Sequence, residues 1–419
     1  MKIFKFGGAS VKDSESVKQV ADIIKNYENQ KLIIVVSAMG KTTNALEKVV
    51  NEIFNNTLNR SEQIIDQINK IKKYHIDILN DLFNAPNHLI YSRVDNYFRE
   101  LFRISLASEN EDYDYVYDSI VPFGELISTE IISHYLNFIG LKNKWVDIRN
   151  YIKTDSTYRD GKVNWRSSQS LLKKICNENL TVTQGFIAGT KDKTTTTLGR
   201  EGSDYSAAII AHCIDAEEVI IWKDVPGVLN ADPKFYNNTV KLNKINYQEA
   251  IELAYYGATI IHPKTIKPLQ NKKIPLRVKS FFKPDDDGTI ISDFENLEFT
   301  TPCYIFKTDQ VLISISPLDL SFIAEDNLSL IFDIFAKAKV KINLMQNSAV
   351  SFSVCVDNNK IKLSKVLGLL NNNFKTKYNE NLTLITIRHY DQKTIEEVTK
   401  DKSILLEQKS RSTVQLIVK

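Results

Sequence analysis

From Gly199 to Ala207 the chain reads Gly-Arg-Glu-Gly-Ser-Asp-Tyr-Ser-Ala, a guanidinium, two glycines, a hydroxyl and a carboxylate where a loop gives way to a helix. Glycine lets backbone N–H groups come close to an anion, and a helix start adds free N–H groups and the positive end of its dipole. A charged ligand suits this composition, although such a loop also reads as an ordinary turn. Lys5-Phe6-Gly7-Gly8-Ala9-Ser10 has a related character: a lysine and two glycines that can cradle transferring phosphate oxygens, without the GxxxxGK[ST] spacing of a Walker A loop. Ser37-Ala38-Met39-Gly40-Lys41-Thr42-Thr43-Asn44 opens a helix with hydroxyls and a lysine. Glu125, after Pro122-Phe123-Gly124, stands in a helix's first turn, as a dipole-stabilised carboxylate or as an acceptor for an ammonium group. Trp222-Lys223-Asp224-Val225-Pro226-Gly227 and the following Ala231-Asp232-Pro233-Lys234 form turns in which Lys223 and Asp224 suit phosphates and adenosine hydroxyls, or make a surface pair. His262, before Pro263, reads as a helix-end residue rather than a base.

These loops need strands to hold them at one edge. Residues 3–6 and 32–36 are short apolar runs flanking a stretch with Val17, Val20, Ala21 and Ile24 on one helical face, a β-α-β unit with parallel strands. Residues 44–108 have a charged, Asn-rich helical pattern interrupted at Pro86, read as a helical insertion. Alternation resumes with a helix over 124–138, a strand over 144–147, a helix over 165–176, and strands over 181–187 and 218–222. Helices over 247–255 and 264–271 then precede a strand over 276–278. The expected fold class is α/β, a mainly parallel sheet sandwiched by helices, with ligands at the carboxyl ends of the strands. A turn-rich stretch from Lys283 to Gly288 starts a linker that ends near Pro302. Beyond it, alternation over 311–316 and 350–356, with a helix capped by Asp326 or Asn327, predicts a smaller α+β module of β-α-β-β-α-β type. A second, shorter set of strands follows over 382–387, 403–407 and 413–418.

Bulk properties narrow the function. With 419 residues and 43% hydrophobic content the chain can bury a large core in two or three domains. A net charge of +3 without a basic tract argues against nucleic-acid or membrane binding. Cys176, Cys213, Cys303 and Cys355 are too scattered for a zinc site or a disulfide scaffold, and the six histidines include no HxxxH or HExxH. No protein-bound metal is expected; any metal arrives with a substrate. The first strand begins at Lys2 and no apolar run spans a bilayer, so a cytoplasmic protein is expected.

Taken together and in this order, KFGGAS, VVSAMGKTTN, FGELIST, TQGFIAGT, LGREGSDYSAA, KDVPGVLNADP and GATIIHP resemble the aspartokinases of the amino acid kinase family, over essentially the whole chain. The resemblance implies a catalytic domain over 1–292 and a tandem ACT regulatory module over 293–419. In that module the first ACT domain spans about 311–378, and a truncated second comprises about 300–309 plus 380–419. It implies phosphorylation of the β-carboxylate of L-aspartate by ATP, with Mg2+ carried by the nucleotide. Carried over residue by residue, Lys5 meets the γ-phosphate, Asp204 holds Lys5, Arg200 grips the α-carboxylate and Glu125 takes the amino group. Ser37, Thr43 and Ser203 line the substrate pocket; Gly7, Gly8, Lys223, Asp224, Asp232, Lys234 and Thr259 belong to the nucleotide side. The acceptor carboxylate is ionised near neutral pH, so no general base is required.

Several positions depart from the family pattern. Ala9 stands where Thr is usual, and Glu201 replaces a frequent Gly, adding an acid that either weakens the pairing of Arg200 or points to solvent. Lys223 stands where many members have Thr and Thr259 where they have Lys, as if the phosphate-binding cation had moved between loops. The resemblance also implies a homodimer through the ACT domains, with an amino-acid effector, lysine or threonine, near residues 319–326 and 343–348. Asn343 occupies a position where lysine-sensitive relatives carry an acid. With the last residue at Lys419, no fused homoserine dehydrogenase is expected. The rival readings are a kinase for glutamate, acetylglutamate, carbamate or a nucleotide, and a catalytically weak amino-acid sensor.

Overall fold

The computed structural model describes residues 1–55, 59–85, 87–258, 261–295, 297–319 and 321–419, so Pro86 and Thr259 lie outside the described residues. The chain divides into two units: Met1–Val228 with Lys241–Ile251 and Ile260–Asn296, and Leu229–Val240 with Glu252–Thr259 and Leu297–Lys419.

The first unit is built on an eight-stranded sheet. Its strands are β1 (Lys2–Phe6), β2 (Leu32–Val36), β3 (Lys144–Val146), β4 (Leu180–Gln184), β5 (Glu218–Lys223), β6 (Lys244–Asn246), β7 (Leu276–Ser280) and β8 (Thr289–Ser292). Their spatial order is β6-β8-β7-β5-β1-β2-β4-β3. From β7 to β3 every neighbouring pair is parallel, whereas β8 runs antiparallel to β7 and carries β6 alongside it. The helices are α1 (Ser14–Lys25), α2 (Thr42–Ile53), α3 (Arg60–Leu82), α4 (Leu89–Ala107), α5 (Tyr113–Ile120), α6 (Phe123–Phe138), α7 (Trp165–Leu172), α8 (Gly202–Ile214), α9 (Tyr247–Tyr256), of which only the residues up to Ile251 belong to this unit, and α10 (Pro263–Lys272). The mainly parallel α/β class expected from the sequence is the class found.

Strand parity decides what each face receives. Phe4 and Phe6 join one core cluster with Ile34, Val36, Trp222 and the apolar stripe of α1, and the Trp222 ring lies parallel to Phe6 at 5.9 Å. Successive side chains alternate, so Ile3 and Lys5 face the other side of β1, where α8 lies against β1 and β2. A lysine is thereby pointed under the start of a helix. Two elements differ from expectation here. A 3-10 turn, Gly8–Val11, precedes α1, which starts only after Asp13 accepts a bond from Ser16 N at 2.8 Å. The stretch 181–187, expected as one strand, is not one: β4 ends at Gln184, Phe186 adopts a left-handed φ of 68°, and Ile187–Gly189 pairs instead with Thr195–Thr197.

The second unit contains a six-stranded antiparallel sheet made of β9 (Cys303–Pro317), β10 (Ile342–Asn347), β11 (Phe352–Asp357), β12 (Phe374–Arg388), β13 (Ile404–Lys409) and β14 (Thr413–Val418). Their order is β10-β11-β9-β12-β14-β13. Helices α11 (Glu325–Lys337) and α12 (Lys360–Leu370) cover one core with Val311, Ile313, Val354 and Phe374. Helix α13 (Gln392–Thr399), closed by an Asp391–Thr394 capping box, covers a second core with Tyr304, Ile385 and Val414. The N-cap of α11 is Ala324, with no side-chain cap; Asp326 instead lies in the first turn, where the helix dipole favours it.

The loops after β1 and β2 are interlocked. Gly40 N donates to Gly8 O at 3.0 Å, and a Cβ on Gly8 would stand 2.7 Å from Ala38 O and 2.8 Å from Gly40 O. Backbone cannot yield as a side chain can. Gly8→Ala is therefore expected to destabilise the protein by about 1–3 kcal/mol, read as a lower urea midpoint at unchanged m; a wild-type midpoint would mean that the two loops do not meet.

Candidate active site

A cavity of ≈ 540 Å³ opens at the carboxyl ends of β1, β2 and β5, the edge where parallel sheets hold ligands. Lys5 enters it from β1. Its Nζ lies 2.6 Å from Asp204 Oδ1, and Lys223 Nζ, at the end of β5, lies 3.6 Å from Asp204 Oδ2. Asp204 is buried in the first turn of α8, where burial opposes its charge. Lys5 first and Lys223 second outweigh that penalty and hold the carboxyl below the ordinary carboxylate range. One buried anion thus fixes two cations at a cavity wall.

The same cavity carries a carboxylate of the other kind. Glu125 is 2% exposed at the start of α6, a helix buried on nearly all sides, and its Oε1 accepts a long bond from Ala38 N at 3.3 Å. Burial, opposed by the backbone N–H groups of Ala38 and of Glu125 itself, pushes its pKa up to about 8. Its Oε2 has no hydrogen-bond partner among the described residues. Gly124 lets α6 come this close, since a Cβ there would sit 2.9 Å from that of Ala38, and Ser128 Oγ ties the helix to Ser37 O at 2.8 Å.

Of the residues singled out in the sequence, Lys5, Ser37, Thr43, Glu125, Arg200, Ser203, Asp204 and Lys223 line this one cavity. Gly7 adjoins it: a Cβ there would lie 3.5 Å from Lys5 Nζ. Gly8 lies under the interlocked loops. Asp224 is exposed next to Lys223. Asp232 and Lys234 belong to the second unit and are exposed, Lys234 N donating to Asp232 Oδ1 at 2.9 Å. Thr259 lies outside the described residues. Glu201 turns to the cavity with a left-handed φ of 53°, as N-cap of α8, with its Oε2 buried. Tyr117, Arg159, Phe186 and Thr197 also line the cavity and were missed. Phe186 falls within TQGFIAGT and Thr197 stands two residues before Gly199, so motif proximity could have flagged both. Tyr117 and Arg159 carry no such signal. Among the described residues no cluster of His, Cys, Asp or Glu could hold a metal ion, and no helix is long and apolar enough to cross a membrane.

The sheet is mainly parallel and carries a lysine–aspartate–lysine set at its carboxyl edge, and the amino acid kinase family model matches residues 1–280. The chain belongs to the amino acid kinase family. It is 32% identical to aspartokinase 1, chloroplastic, of Arabidopsis thaliana over 378 residues, 86% of this chain and 64% of that protein. It is 30% identical to the bifunctional aspartokinase/homoserine dehydrogenase of Buchnera aphidicola over 395 residues, 91% of this chain and 47% of that protein. The chain thus spans about half to two thirds of the length of these curated relatives. Among solved structures, E. coli aspartokinase III in complex with lysine and aspartate (T-state) matches with TM-score 0.84 and 25% identity, covering 100% of this chain and 96% of that one. The same enzyme with aspartate and ADP (R-state) matches with TM-score 0.82 and 26% identity, at the same coverage.

The buried Glu125 makes stability depend on pH. Its folded pKa, about 8, lies above the ordinary 4.5, so the stability it contributes as a neutral acid is complete below 4.5 and is lost as pH rises toward 8. Glu125→Gln stays neutral throughout. The melting temperature of the wild type should therefore fall relative to Glu125→Gln between pH 5 and 8; parallel profiles would show that Glu125 is ionised in the free protein at all these pH values.

Proposed function

We propose that this protein is an aspartate 4-kinase, which transfers the γ-phosphoryl group of ATP to the β-carboxylate of L-aspartate, giving 4-phospho-L-aspartate and ADP. The observation that carries this reading is the Lys5–Asp204–Lys223 set facing one cavity with Glu125 and Arg200. The likeness to aspartokinases supports it.

In this mechanism the acceptor carboxylate is already the nucleophile, and the barrier is the approach of two anions. Lys5, held straight by Asp204, meets the transferring phosphoryl oxygens. Lys223 neutralises the neighbouring phosphates, the role left open where Thr259 replaces a lysine. Backbone N–H groups at Gly7 and Gly8 complete the cradle, Asp224 lies on the nucleotide side, and Mg2+ enters with ATP. Arg200 pairs with the α-carboxylate of aspartate, while Ser37, Thr43 and Ser203 line its path. Glu125 takes the ammonium group and ionises on doing so, because the incoming cation reverses the burial penalty. Positioning replaces acid–base chemistry. Feedback by lysine or threonine through the second unit, in a homodimer, completes the proposal, supported by the relative that binds lysine.

Trapping the acyl phosphate with hydroxylamine tests the acceptor: product with aspartate alone is expected, and product with glutamate instead would overturn the assignment. Asp204→Ala should remain folded and lose at least ~100-fold in kcat; normal turnover would remove this mechanism. Lys223→Ala should raise the KM for ATP, and an unchanged value would return the phosphate-binding role to another loop.

A further inference from the structure

Asp118 is fully buried in α5 and is not part of the reaction scheme. Its Oδ2 accepts from the backbone N of Arg159 and of Thr197, both at 2.8 Å, and its Oδ1 accepts from Thr197 Oγ1 at 2.7 Å. Both donors line the catalytic cavity. They belong to two segments laid side by side. Gly161 N donates to Thr197 O at 2.9 Å, and Thr154 Oγ1 and Thr196 Oγ1 are 2.6 Å apart. A Cβ on Gly199 would come within 3.3 Å of Arg159 O. Two residues beyond Thr197 the chain reaches Gly199, with φ +77°, and then Arg200.

Arg159 itself is held in an uncommon state. Its φ is 64°, a conformation costing a non-glycine residue on the order of 1 kcal/mol unless its surroundings impose it. Those surroundings are the bond to Asp118, the Tyr117 ring 4.5 Å from its guanidinium, and Asp114 at 3.2 Å. Tyr117, next to Asp118 in sequence, lines the same cavity. Beyond α5 the chain passes through Pro122 to Glu125, which lines the same cavity.

We propose that Asp118 is a positioning residue for the acceptor: by clamping the Arg159 loop to Thr197 it sets where Arg200 meets the substrate carboxylate. This rests on the reading of the cavity as an aspartate kinase site. The clamp works through hydrogen-bond geometry. Burial raises the pKa of Asp118 against the pull of its three donors and of the Arg159 charge. Asparagine can reproduce the pattern, its oxygen accepting both N–H groups and its amide donating to Thr197 Oγ1.

The test is steady-state kinetics on the full chain, wild type first. If the wild type does not phosphorylate aspartate, the functional reading fails, and the clamp is then tested on whichever acceptor the enzyme uses. With an active wild type, Asp118→Ala should raise the KM for the acceptor roughly ten-fold and leave the KM for ATP within about two-fold. Asp118→Asn should restore most of the loss. Thr197→Val, which removes one of the three bonds, should raise the acceptor KM by a smaller factor and decides the matter should Asp118→Ala fail to fold. An unchanged acceptor KM in these variants, or equal rises in both KM values, would overturn the proposal.

Discussion

Everything in the first unit answers to one electrostatic constraint: a buried aspartate must be matched by cations, and those cations must still face a cavity. Asp204 has 3% exposure, and an unpaired charge there would be strongly destabilising. Lys5 reaches it only because strand parity turns that side chain toward α8, and α8 must in turn begin within reach of β1. That approach is close. A Cβ on Gly202 would lie 2.6 Å from the Phe186 ring, and one on Gly185 would lie 2.5 Å from that of Ser203. The glycines around the helix start are spacing devices for an ion pair.

The same cavity separates two carboxylates by environment alone. Asp204, flanked by lysines, is pulled toward the charged form; Glu125, whose N–H contacts do not offset its burial, is pushed toward the neutral form. Environments that drive two acids apart give each a distinct task. The lysine pair at Asp204 is committed to anions before any ligand arrives, while Glu125 commits only when a cation does.

The sequence exposed the parts of this design that lie within short windows. The Gly-Gly turn after β1, the Gly-Arg-Glu-Gly-Ser-Asp segment and the acid opening α6 are each legible because glycine and charge sit a few residues apart. Contacts between distant segments were not legible. Nothing in the window around Asp118 announces that it bonds to residues 159 and 197, because that partnership exists only once the loops are folded together. The end of β4 was missed for a similar reason: the need for glycine at position 185 comes from Ser203, 18 residues away in the chain but in contact in the fold. The cap of α11 was misplaced because acids favour both cap and first turn.

The second unit has a feature with wider reach. Strands β9 and β12 are each 15 residues long, about 50 Å of continuous backbone, and each runs through both small cores. They meet in an irregular stretch, with register shifts between Lys307 and Leu312 and Asp309 at φ +53°. A boundary drawn near residues 309 and 378 separates cores but not chains. The two halves are therefore one inheritance: recombination that exchanged either would sever two strands at once, so such modules are expected to pass between proteins as pairs.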